Sequence, residues 1–262
     1  MSQLKLENFN AGYPGGAPVV SGISMTLSGG TVTAIIGPNG SGKSTLLKGI
    51  MGFPGVDSSP GVFLDSTPVH KWSRREKALR IGYLPQFPPV PQGLTGLETV
   101  LLGRYPHREP WSSDSAEDRK AALLALQLVD AVHLADKYVD RISGGEFRLV
   151  NLAGVLAQET PVILLDEPES SLDYGHASHI WRVLSQLAEG GRIIIATTHR
   201  IGMAAGFLNS VLLLSDGKPA GFGPAEGIFE DEALMSEVYK TPLKIVKNTS
   251  GKGWVVCPAG KG

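Results

Sequence analysis

Gly37-Pro38-Asn39-Gly40-Ser41-Gly42-Lys43-Ser44-Thr45 is the stretch on which the reading of this chain turns. It matches G-x-x-x-x-G-K-[ST] at each fixed position, follows the apolar run Val32 to Ile36, and opens a helix-like run from Thr45 to Met51. Closely spaced backbone N–H groups can wrap a phosphate only where side chains are absent or small, which Gly37, Gly40 and Gly42 provide. The helix dipole favours the anion, Lys43 places a point charge on the β and γ phosphates, and the Ser44 hydroxyl suits a Mg²⁺ shell shared with phosphate oxygens and water. A glycine-rich turn before a helix would need neither the lysine nor the hydroxyl. A nucleoside triphosphate is the expected ligand.

Outward from the loop, residues 2 to 9 and 19 to 28 read as strands, the second with Ile23, Met25 and Leu27 alternating against Ser24, Thr26 and Ser28. Tyr13 sits between them in Gly12-Tyr13-Pro14-Gly15-Gly16, either as a turn aromatic or as a stacking platform for adenine. Gly52 and Pro54 stop the helix, and a hairpin-like region leads to the basic segment Lys71 to Arg80, a short strand Ile81 to Leu84, and Gln86. Phe87-Pro88-Pro89-Val90-Pro91 is too proline-rich for helix or sheet interior, and a subdomain boundary is expected there. Thr95-x-x-Glu98 is a capping box before a helix to Gly103. A polar loop, Arg104 to Asp114, then precedes a helix starting near Ser113 to Ser115 with Ala121, Leu124 and Leu128 on one face. Residues 87 to about 157 thus read as a small helical subdomain inserted in an α/β core.

Ser143-Gly144-Gly145-Glu146 is a capping box by its serine and glutamate. Capping alone gives the two glycines no purpose, whereas backbone approaching an anion at a helix N-terminus would, and both readings share one geometry. Val162-Ile163-Leu164-Leu165-Asp166-Glu167 fits a parallel strand buried on both faces and ending at two carboxylates; Arg192 to His199 repeats the design. Parallel strands end at one edge, where ligands bind, so the phosphate loop, Asp166-Glu167 and His199 are expected to converge. Asp216-Gly217 marks a later hairpin, and the tail carries strand-like pieces at Leu243 to Val246 and Trp254 to Val256.

The 262 residues suffice for a full α/β core, and the net charge of −1 argues against nucleic acid as a partner. Cys257 is the single cysteine, which suits a reducing compartment. The start, Met1 to Glu7, lacks the basic and apolar regions of a signal peptide, and no run of about 18 apolar residues occurs. The expectation is a cytosolic protein, held at a membrane only through another chain.

Together these segments resemble the ATP-binding cassette family over nearly the whole chain. Ile142-Ser143-Gly144-Gly145-Glu146 is similar to the signature LSGGQ, with Ile for Leu and Glu for Gln. Gln86 resembles the glutamine-loop residue, Ser171-Leu172-Asp173 the short loop after the acidic pair, His199 the switch histidine, and Tyr13 the adenine-stacking aromatic. Arg200 departs from the Asp of many members. The resemblance implies a phosphate-loop NTPase core with a mostly parallel sheet, an antiparallel β subdomain and an inserted helical subdomain, as one cassette domain over residues 1–240 with a tail at 241–262. It implies that Glu167, His199 and Lys43 carry ATP hydrolysis. Nucleotide contacts come from Tyr13, residues 37–45, Gln86, Ser143, Gly144, Gly145 and Asp173, and Mg²⁺ is held by Ser44, Gln86 and Asp166. It also implies a head-to-tail dimer, with ATP between the phosphate loop of one copy and the Ser-Gly-Gly of the other.

The absence of N-K-x-D argues against a GTP switch, and the lack of a heptad tract or second cassette argues against the repair and translation members. An ATPase subunit on the cytoplasmic face of a membrane permease is the leading expectation, with an exporter subunit or a soluble non-transport cassette as rivals. Gly93-Leu94-Thr95 with Gly103-Arg104-Tyr105-Pro106-His107-Arg108, and later Glu237-Val238-Tyr239 with Pro242, are similar to cassettes of bacterial metal-chelate importers. That likeness implies uptake of ferric siderophore, haem or cobalamin through a permease pair and a periplasmic or surface binding protein.

Overall fold

Alternating apolar and polar residues build one sheet of the protein, and unbroken apolar runs build another. The computed structural model describes residues 2–109, 112–248 and 253–259. It divides into two units, one running to Lys71 and resuming at Leu184, the other spanning Trp72 to Val183.

In the first unit, Gln3–Gly12 lies between Pro18–Ser28 and Val62–Leu64, all antiparallel, with Thr67–Pro68 beyond. Ile23, Met25 and Leu27 are buried while Ser24, Thr26 and Ser28 are exposed, the pattern of a sheet with one wet face. A second sheet runs in the order Lys218–Pro224, Ser210–Ser215, Thr31–Ile36, Ile193–Thr197. Its last three strands are parallel, and the first pairs antiparallel around the Asp216-Gly217 turn. Thr31–Ile36 and Ile193–Thr197 therefore end at the same edge, and the phosphate loop and His199 follow directly from it. The tail pieces pair as a hairpin, Leu243–Lys247 with Trp254–Pro258. Ile245 and Trp254 enter a core with Ile201, Phe229 and Met235, so the hairpin packs on the short helix Ile201–Ala204 that follows His199.

In the second unit, Ile81–Leu84 and Val162–Asp166 are parallel, and the helices Gly96–Leu101 and Ala116–Leu128 pack on Gly144–Ala157. A Cβ at Gly103 would lie 2.0 Å from the Gly154 carbonyl, an approach only glycine allows. The architecture is the mixed α/β class expected, with mostly parallel strands, an antiparallel β part and a helical region.

Two local expectations are corrected. Arg104 to Asp114 is not simply a polar loop: Leu102–His107 is a 3₁₀ helix and Arg104 is buried, because its guanidinium finds acidic and carbonyl partners inside; residues 110–111 lie outside the described residues. The next helix is capped by Ser115 as expected, but Leu124 and Leu128 are 51% and 40% exposed, and Ala122, Ala125 and Leu126 face inward instead. The buried face is the one that carries Asp118, the partner of Arg104.

Arg104 donates through Nε to Asp118 Oδ1 at 3.0 Å, and through Nη1 to Glu159 Oε2 at 2.6 Å and the Ala157 carbonyl at 2.7 Å. Burial pushes the Asp118 carboxyl up, but hydrogen bonds from Arg104 and Ser115 outweigh it and hold it below the ordinary carboxylate range. Asp118→Ala leaves the buried Nε of Arg104 without its carboxylate and is expected to lower the unfolding free energy in urea by about 3 kcal/mol. Glu159→Gln, at the exposed end, should cost under about 1 kcal/mol. Since the folded pKa of Asp118 is depressed, its contribution is complete above the pKa of an unfolded Asp and is lost as pH falls through the folded value. The gap between parent and Asp118→Ala should therefore close in acid.

Candidate functional site

The phosphate loop joins Thr31–Ile36 to the helix Lys43–Met51. Gly37 has φ 148°, and a Cβ there would lie 2.2 Å from the Leu214 carbonyl; Gly42, the N-cap, has φ 100° and would crowd Val20 Cγ1 at 2.3 Å. Both positions need glycine for conformation and for space. Lys43 is buried, and its Nζ donates to the carbonyls of Gly37 at 2.8 Å and Pro38 at 2.9 Å, which curls the loop around the ammonium. Ser41 Oγ is buried without a hydrogen-bond partner among the described residues. A buried ammonium, an orphaned hydroxyl and the amides of a helix start fit a bound phosphate chain.

Tyr13 borders this loop. Its hydroxyl is 3.5 Å from Thr45 Oγ1, and its ring is 47% exposed beside a cavity of about 210 Å³ that Asn10, Gly16, Asp57 and Ser59 also line. An aromatic face left bare next to a phosphate loop suits a stacked base. His199 is exposed just past Ile193–Thr197. Arg200 is the N-cap of the helix Ile201–Ala204 and makes no side-chain cap bond, so the departure from Asp leaves that helix start without the cap a carboxylate would give. The amide of Gly37 bonds the Tyr239 hydroxyl, which burial pushes up to about 12, so this phenol stays protonated at working pH.

The second unit carries the other predicted residues. Asp166, 2% exposed, ends the strand Val162–Asp166. Glu167 follows with φ 52°, a left-handed conformation that costs a non-glycine residue about 1 kcal/mol or more and is typical of functional positions. Gln86 lies half-buried two residues past Ile81–Leu84.

Ser143 caps Gly144–Ala157: its Oγ accepts from the Glu146 amide at 3.2 Å, while Glu146 Oε2 accepts from the Ser143 amide at 2.9 Å and hydroxyl at 2.8 Å. The capping-box reading is thus correct, yet it explains neither glycine. A Cβ at Gly145 would meet the Ser171 carbonyl at 2.8 Å, which accounts for that one, while a Cβ at Gly144 would meet nothing within 4 Å among the described residues. Asp173 is spent on its own helix start: Oδ1 accepts from the His176 amide at 2.8 Å and Oδ2 lies 2.7 Å from His176 Nδ1, bonds that hold its carboxyl below the ordinary range.

Tyr13, the phosphate loop and His199 therefore share the first unit, and Gln86, Ser143 to Gly145, Asp166, Glu167 and Asp173 share the second. Ser44, Gln86 and Asp166 offer hydroxyl, amide and carboxylate oxygen, the hard donor set that Mg²⁺ takes alongside phosphate oxygens. Sequence reasoning missed two residues. Arg148 reaches the carbonyls of Gln86, Asp166 and Glu167, and Tyr239 reaches Gly37. The signal for Arg148 was a lone charge within the apolar run Phe147 to Val150.

The α/β fold and this loop define a nucleoside triphosphatase of the phosphate-loop class. Residues 20–170 match the family model described as ABC transporter, and the chain belongs to that family. It is similar to the hemin import ATP-binding protein HmuV of Myxococcus xanthus (strain DK1622), 36% identical over 247 residues, covering 91% of each chain. It is 34% identical over 262 residues to the ferric enterobactin transport ATP-binding protein FepC of Escherichia coli (strain K12), covering 100% of this chain and 96% of the other. A transporter assigned to the metal-chelate type, solved in an inward-facing conformation, superposes with a TM-score of 0.81 at 25% identity over 100% of this chain and 99% of the other. The chain is an ATPase of this family.

Proposed function

We propose that this chain is the ATP-hydrolysing subunit of an importer of metal chelates: ferric siderophore, haem or cobalamin. The observation that carries this reading is end-to-end similarity to an iron-siderophore cassette, with the tail included. ABC ATPases dimerise and act with membrane permeases. The finer proposal is a head-to-tail homodimer in which Ser143, Gly144 and Gly145 of one copy close over the nucleotide on the phosphate loop of the other. Gly144, where an added Cβ would meet nothing among the described residues, suits that role.

Within one copy the residues divide the work. Lys43 holds the β and γ phosphates, residues 37–45 wrap them with backbone amides, and Tyr13 stacks on adenine. Ser44, Gln86 and Asp166 would hold Mg²⁺, which when bound neutralises charge building on the phosphate oxygens. Glu167 orients the attacking water and takes its proton, His199 contacts the γ-phosphate and senses its departure, and Asp173 adds a nucleotide contact.

The permease is proposed to dock on the helical unit. Pro88, Pro89, Val90, Pro91 and Leu102 line an apolar groove of about 440 Å³ beside Gln86, and Phe87 is 83% and Tyr105 71% exposed. Of the docking stretch 87 to 110, residue 110 lies outside the described residues. No helix among the described residues is long and apolar enough to cross a membrane, so the proposed place at the cytoplasmic face is peripheral, through the permease. The helical part, about 87–157 of a cassette over 1–240, would move when Gln86 meets the nucleotide, and a binding protein on the far side would deliver cargo.

The test is uptake into vesicles holding the complex that copurifies with this chain. MgATP should drive inward movement of labelled ferric siderophore, haem or cobalamin. Outward movement of a lipid or drug, with none of the three taken up, would return the chain to the exporters.

A further inference from the structure

Arg148 lies in the helix Gly144–Ala157, about one turn after Ser143. It is 3% exposed, and its guanidinium spans two chain segments: Nη1 donates to the carbonyls of Pro85 at 2.6 Å and Gln86 at 3.1 Å, Nη2 to those of Asp166 at 2.5 Å and Glu167 at 2.8 Å. Those carbonyls sit at the carboxyl ends of two parallel neighbours, Ile81–Leu84 and Val162–Asp166. A planar fork with fixed donors can bridge two such ends, which the single ammonium of a lysine cannot do to the same degree. One of the four carbonyls belongs to Glu167, whose left-handed backbone needs an external hold. Burial lowers the Arg148 pKa to about 10 against the attraction of Asp166, Glu169 and Glu167, so the group remains charged at neutral pH.

We propose that Arg148 is the positioning residue of the hydrolytic half-site, fixing the backbones of Gln86 and Glu167 in one frame and tying that frame to the helix that starts at Ser143. It works through those residues and carries no chemistry of its own. A change in Gln86 on meeting nucleotide would reach Glu167 through one rigid guanidinium, and so would any movement of the Ser143 helix. The inference rests on the reading of Glu167 as the group that orients water.

The test uses full-length Arg148→Met, which keeps the reach and packing but no donors, and Arg148→Lys, which keeps the charge. Phosphate release is measured against ATP concentration and normalised to the fraction of protein that binds ATP, so that loss of folded protein does not count. The expected result is a kcat about 10- to 100-fold lower for Met with KM within about threefold of the parent, and Lys in between. If Met does not fold, Lys alone carries the test, with a smaller drop in normalised kcat at unchanged KM. A normalised kcat within about twofold of the parent would overturn the proposal and leave Arg148 a buried structural residue. Glu167→Gln, measured beside them, separates the two readings. If it is inactive while Arg148→Met keeps parent kcat, only this inference falls; if it hydrolyses at the parent rate, the reading beneath falls too.

Discussion

Glu167→Gln should bind MgATP as the parent does and release phosphate about 10²- to 10⁴-fold more slowly, the usual contribution of a positioned general base, or roughly 3 to 5.5 kcal/mol of barrier. The side chain keeps its size but loses its charge and its ability to take a proton, and since it is not among the groups proposed to hold the phosphates, affinity is expected to be spared. Two features of the position support the role. Glu167 directly follows Asp166 at the end of a strand buried throughout, and its backbone is left-handed, at φ 52°. Nucleotide binding and steady-state phosphate release on one preparation check this. Parent turnover would remove Glu167 from the mechanism.

Lys43→Ala should produce the second large effect, on binding first. Lys43 is buried, held by two carbonyls of its own loop, and is the only lysine or arginine within residues 37–45. Charge-assisted hydrogen bonds contribute about 1.5 to 3 kcal/mol each, so affinity for ATP should fall about 10- to 100-fold, with turnover falling at least as far. The alanine also frees the Gly37 and Pro38 carbonyls to turn away, loosening the loop. A nucleotide titration of the variant gives the number; unchanged affinity would mean that the triphosphate does not lie along this loop.

What the sequence disclosed and what it hid follow a physical line. The phosphate loop was readable because its chemistry is local: glycines, lysine and hydroxyl are contiguous, and the strand before them and helix after them are adjacent in the chain. Asp166, Glu167 and His199 were readable because apolar runs announce buried parallel strands and the residues after them must sit at strand ends. Arg148 was not, because its partners are four backbone carbonyls, and a carbonyl has no letter in the sequence. Arg104 read as loop for a different reason: its burial depends on Asp118 and Glu159, side chains that arrive from elsewhere in the chain. Leu124 and Leu128 misled because hydrophobic spacing names a face without saying which way it turns, and the face that turned inward holds Asp118, Ala122, Ala125 and Leu126. The tail hairpin showed its strands but not its partner, Ile201–Ala204, since the packing of Trp254 and Ile245 is long-range.

In the proposed cycle each ATP is closed between the phosphate loop of one copy and Ser143 to Gly145 of another and is hydrolysed by Glu167. The measurement that tests it most directly is the solution mass of Glu167→Gln by light scattering, with bound nucleotide analysed from the same peak. The expected result is a monomer without nucleotide, a doubled mass with MgATP carrying unhydrolysed ATP in each copy, and a return to monomer when Ser143→Arg is added to the variant. A protein that stays monomeric at saturating MgATP, or a dimer that forms regardless of Ser143→Arg, would contradict it.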